Sequence, residues 1–100
     1  MATVKQKVEL LQMTRELLVN HTRRSICSAL VEAADGRKDL DAAYEYLSDY
    51  VSDALGDCAY LEGWQRLKHI KAFPISSPES QAARIAWVDW MIACYVEDSK

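Results

Sequence analysis

Apolar residues recur at helical spacing along most of the chain. Between residues 3 and 20, a stretch without proline or glycine, Val4, Val8, Leu11 and Leu18 form one row, and Leu10, Met13 and Leu17 form a second beside it. The purely polar strip, Lys5, Glu9, Gln12 and Glu16, is narrow, so the apolar arc is wider than one packing neighbour covers. This predicts a first helix that is either wedged between two others or keeps part of its arc for an interface. The run 25–34 predicts a short second helix, ended at Asp35-Gly36 where glycine can take the left-handed conformation.

Asp39 is the expected cap of a third helix, closed by Gly56. Within it Leu40, Tyr44, Leu47, Val51 and Leu55 step by four, three, four and four, the spacing of a core-facing stripe. Leu61, Trp64, Leu67, His69 and Ile70 suggest a fourth, short helix over 60–72, weakened by Gly63, and Phe73-Pro74-Ile75-Ser76 reads as a connector. Ser77-Pro78-Glu79 is a helix start: a capping hydroxyl, proline at the first helical position and an acid near the positive end of the dipole. From Ala82 to Val96 only Arg84 and Asp89 interrupt an otherwise apolar run, too short and too interrupted for the roughly 20 apolar residues of a membrane span. The expected fold is therefore all-α: one domain over residues 1–100, a compact bundle of four or five helices around an apolar C-terminal helix whose Trp87 and Trp90 are both largely buried.

Composition agrees with a packed globule. Half of the 100 residues are apolar and 27% charged, with three glycines and two prolines. The residues around Lys5 and Lys7 contain no apolar run of signal-peptide type, which points to the cytoplasm. Cys27, Cys58 and Cys94 are odd in number and widely spaced, as buried thiols of a reducing compartment are, and neither His21 nor His69 stands at a metal-ligand spacing from them. No phosphate-binding glycine loop, metalloprotease, calcium-loop or nucleophile-elbow motif is present, so neither a catalytic residue nor a cofactor is assigned.

Charge placement changes the picture more than the net charge of −3 does. Eight acids lie between Asp35 and Glu62 against only Arg37 and Lys38, whereas the flanking segments are basic. Asp41, Glu45, Asp49 and Asp53 recur at every fourth position, a row of like charges opposite the Leu40 stripe, with Tyr46 and Tyr50 beside it. The row is either a solvated helix face or a docking face for a basic surface, including one that normally holds nucleic acid. The chain's own basic residues are too few and scattered for a nucleic-acid interface. The second apolar row of the first helix, Leu10, Met13 and Leu17, is the candidate for self-association into a homodimer or higher oligomer.

Ser25-Ile26-Cys27-Ser28-Ala29-Leu30, Leu61-Glu62-Gly63-Trp64 and Arg84-Ile85-Ala86-Trp87-Val88-Asp89-Trp90-Met91-Ile92, in this order, resemble a loose group of small all-helical phage and prophage proteins. The resemblance spans roughly residues 25 to 93 and rests on apolar and tryptophan positions, so it implies a shared fold and carries over no site residue. It implies an accessory protein that binds and inhibits or modulates a host protein or complex, for example a defence complex, in the host cytoplasm. The alternatives are a structural homo-oligomer or assembly chaperone, and a sponge for a small signalling ligand.

Overall fold

The structure, a computed structural model, describes residues 2–55 and 77–98, the side chains of 52–55 and 98 excepted. The expected helix at 60–72, the connector after it, Gly56, Cys58, His69 and the Asp53 side chain lie outside the described residues. Among those described, all regular structure is helical: α1 (Val4–Asn20), α2 (Ile26–Ala34), a 3-10 turn (Lys38–Leu40), α3 (Asp41–Leu55) and α4 (Pro78–Asp98). The chain is all-α.

Each start has a local cause. Thr3 caps α1: its hydroxyl accepts from the Gln6 amide at 3.1 Å while the Gln6 side chain accepts from the Thr3 amide at 3.0 Å, a reciprocal box worth about 1 kcal/mol. Ser25 caps α2 through the Ser28 amide at 3.1 Å, and Ser77 caps α4 through the Ser80 amide at 3.1 Å, with Pro78 first in the helix. Gly36, at φ +75°, turns the chain after α2; a Cβ there would meet nothing within 4 Å, so the backbone conformation alone calls for glycine. Asp39 does not cap α3 as expected. Its carboxylate takes two bonds from Arg37, at 3.0 and 2.8 Å, and the 3-10 turn leads the chain into α3 instead.

Helix α1 packs against α2, α3, α4 and the 3-10 turn, which accounts for its wide apolar arc. Its Leu10, Leu11 and Leu18 are fully buried, together with Leu30 of α2, Leu40, Ala43, Leu47 and Val51 around α3, and Trp87, Val88 and Met91 of α4. Each such leucine contributes about 1.5–3 kcal/mol by leaving water. Thr14, also buried, donates its hydroxyl to the Leu10 carbonyl at 2.8 Å and so brings no unpaired group inside. Among the described elements α1 is the hub, and α4 keeps Ala82, Ala86, Asp89 and Ala93 exposed. Trp87 is 1% exposed, but Trp90 is only half-buried.

The start of α4 also closes the turn between α1 and α2. Gln81 donates to the last carbonyls of α1, Leu18 at 2.9 Å and Val19 at 3.3 Å. One turn on, the Arg84 side chain is 2% exposed and donates to the carbonyls of Arg24, Thr22 (2.8 Å) and Ser80 (3.2 Å). A planar guanidinium with five fixed donors suits carbonyls fanned out in this way. Burial pulls the Arg84 pKa below its usual value.

Candidate functional site

Helix α3 turns its Leu40–Val51 stripe to the core and carries its acids outward. Asp41, Glu45 and Asp49 are all exposed, one above the next at successive turns. Among the described residues none of the three is in an ion pair. Four arginines, by contrast, are engaged elsewhere. Arg15 binds Asp89 of α4, Arg24 binds Glu32 of α2, Arg37 joins Glu9 to Asp39, and Arg84 holds the α1–α2 turn. The Arg37 guanidinium holds the Asp39 carboxyl below the usual carboxylate range. Like charges four residues apart on a helix cost about 0.2–0.5 kcal/mol a pair, so the α3 row is a small standing penalty with no local relief among the described residues.

The two tyrosines beside the row part company. Tyr46 is 49% exposed, and the Lys7 ammonium of α1 sits 3.7 Å from its ring centroid. Tyr95 of α4 lies on the same ammonium at 5.3 Å, and its hydroxyl is pushed well above the usual tyrosine range by burial first and by Tyr46 next. This cluster binds a cation by ring electrostatics, and the cation is the chain's own. Tyr50, also expected at the interface, packs inward: its ring lies 6.3 Å from that of Trp87.

The apolar row assigned to self-association divides similarly. Leu10 is fully buried in the chain's own core. Met13 and Leu17 are half-buried and line a cleft of about 290 Å³ between α1 and α2, rimmed by Glu16 and Glu32. A second, polar depression of about 550 Å³ surrounds the α1–α2 turn, lined by His21, Arg23, Arg24 and Ser28.

The thiols expected to be buried are half-buried instead. Cys27 sits in α2 with its pKa raised by burial, which lowers the thiolate fraction at neutral pH, and Cys94 lies near the end of α4. Mass-resolved alkylation at pH 7.5 should therefore modify Cys27 several-fold more slowly in the native chain than in denaturant. Equal rates in the two states would contradict this reading. Among the described residues no three His, Cys, Asp or Glu side chains are grouped to hold a metal ion.

Sequence reading missed three contacts, all between distant segments: Arg84 on the Thr22 and Arg24 carbonyls, Arg15 on Asp89, and Lys7 on Tyr46. Arg84 alone left a signal, as a single cation inside an apolar run. No described helix is long and apolar enough to cross a membrane. No family model, curated protein or solved structure matches the chain.

Proposed function

We propose that this chain is a phage or prophage accessory protein that acts stoichiometrically, binding and inhibiting or modulating a host macromolecule such as a defence complex. The docking face in this reading is the outer side of α3. The observation that supports it is the exposed row Asp41, Glu45 and Asp49, which makes no ion pair among the described residues while four arginines are spent on internal contacts. Such a row offers carboxylates at intervals of about 6 Å, one helical turn apart, and matches a cationic groove of a partner.

The test separates binding from stability. Asp41 stands in the first turn of α3, where its charge favours the helix, so it is left in place. Replacing Glu45→Gln together with Asp49→Asn removes repulsion and should leave the fold unchanged or more stable by a few tenths of a kcal/mol. The same double variant should lose the host partner that the wild-type chain retains from a bacterial lysate at low salt. High salt should release that partner from the wild type, since exposed charge pairs are screened within about 10 Å at 0.1 M. A partner retained equally by wild type and variant, at both salts, would overturn the proposal.

A further inference from the structure

The outer face of the α1–α4 pair is apolar and charged in a pattern of its own, apart from the acidic row. The two helices run antiparallel: Val4 and Val8 lie beside Val96 at one end, Arg15 meets Asp89 in the middle, and Leu18 meets Gln81 at the other. Three of the five large apolar side chains exposed among the described residues fall on this pair, Val4 at 36%, Val19 at 46% and Val96 at 42%. Val4, Val8 and Val96 line an apolar groove of about 480 Å³. The outward positions of α4 are small, Ala82, Ala86 and Ala93, all exposed, and let another helix approach closely. Arg15 and Asp89, 44% and 47% exposed, are the ion pair at the centre of this face.

We propose that the occupant of this face is a second copy of the chain, docked about a two-fold axis parallel to the helices. That operation keeps every level and exchanges the two helices, so α1 of one copy lies over α4 of the other, antiparallel to it. Val4 and Val8 then meet Val96 of the partner subunit, and Val19 meets the partner's Ala82. At the centre Arg15 meets Asp89 of the partner subunit, and the two internal pairs become one alternating cluster of four charges. The face is thus complementary to itself in charge and in apolar pattern, as a symmetric interface requires. Helices of 17 and 21 residues, about 25 and 31 Å long and each about 10 Å across, give a footprint of about 500–600 Å², that of a small dimer interface beside the roughly 800 Å² each partner buries in a standard one. A foreign partner has no such reason to repeat this charge order.

Sedimentation equilibrium of the full chain at high micromolar concentration should give twice the 11.4 kDa mass. Ala93→Glu changes an exposed helical position, so it should keep the helical circular dichroism while weakening the dimer about tenfold or more. Arg15→Glu should do the same by setting carboxylates against Asp89 within and between copies. The exchange Arg15→Glu with Asp89→Arg should restore the dimer, because it reinstates every pair with its sign reversed. A chain that stays at 11.4 kDa, a dimer indifferent to Ala93→Glu, or an exchange variant no better than Arg15→Glu alone would each overturn the proposal. The E45Q/D49N variant of α3 should dimerise normally, so the two surfaces fail or succeed separately.

Discussion

Replacing Trp87 with alanine should cost about 3–5 kcal/mol, the largest loss expected from any single substitution here. The indole is 1% exposed, and its ring lies 6.3 Å from Tyr50 of α3 and 6.4 Å from Trp90 of α4, tilted against both. Truncation removes that aromatic contact together with the transfer energy of the largest fully buried side chain among the described residues, and leaves a cavity between α3 and α4. In a chain of this size each kcal/mol shifts the melting temperature by about 4–8 °C, so the midpoint should fall by well over 10 °C or so. Trp90→Ala should cost clearly less, since that ring is half-buried. Thermal melts of the two variants check the order; equal losses would show that Trp87 does not anchor the α3–α4 contact.

Arg84→Met should destabilise the chain by about 3 kcal/mol, although it exchanges a charged residue for an apolar one at a buried position. Methionine follows the path of the arginine stem and preserves its packing, so the loss isolates the guanidinium. The carbonyls of Thr22 and Arg24 lose a charged donor, and bonds of that type contribute about 1.5–3 kcal/mol each. Water reaches the turn once it loosens, which keeps the total below the sum. Arg84→Lys should recover only part of the loss, since one ammonium cannot span carbonyls that a planar fork reaches together. Chemical denaturation gives the magnitude, and hydrogen exchange should quicken at the start of α2. A stability change within about 0.5 kcal/mol would refute the clamp.

Local signals carried far in this chain. The serine before α2, the Ser77-Pro78 start of α4 and the left-handed Gly36 are features of a few neighbouring residues, and the structure places each where the sequence reading does. The wide arc of α1 was readable as well: packing on α2, α3 and α4 buries Leu10, Leu11 and Leu18 of it, while Val4 and Val19 stay exposed. Spacing could not rank helices by centrality, because alanine counts as apolar on any face. The outward Ala82, Ala86 and Ala93 made α4 look buried all round. The role of Arg84 was not legible for a related reason: its acceptors are carbonyls about sixty residues away, and a backbone carbonyl leaves no mark in sequence. The acidic row was visible because a four-residue period is local. The inward packing of Tyr50 and the burial of Leu10 depend on neighbours that periodicity does not name.

The contacts of Gln81 and Arg84 with residues 18 to 24 bear on the order in which the chain is completed as it is made. Leaving the ribosome from its N-terminus, the chain presents α1, α2 and the turn between them long before the residues that finish that turn. Until position 84 emerges, the last carbonyls of α1 and those of Thr22 and Arg24 have only water as donor. Helices α1 and α2 therefore wait as a hairpin whose turn is unclosed, the condition in which nascent helices are prone to pair wrongly or meet a chaperone. Closure is a late, long-range event, and the entropy of bringing ends sixty residues apart together falls at that last step. The α1–α2 turn is thus finished only when α4 arrives.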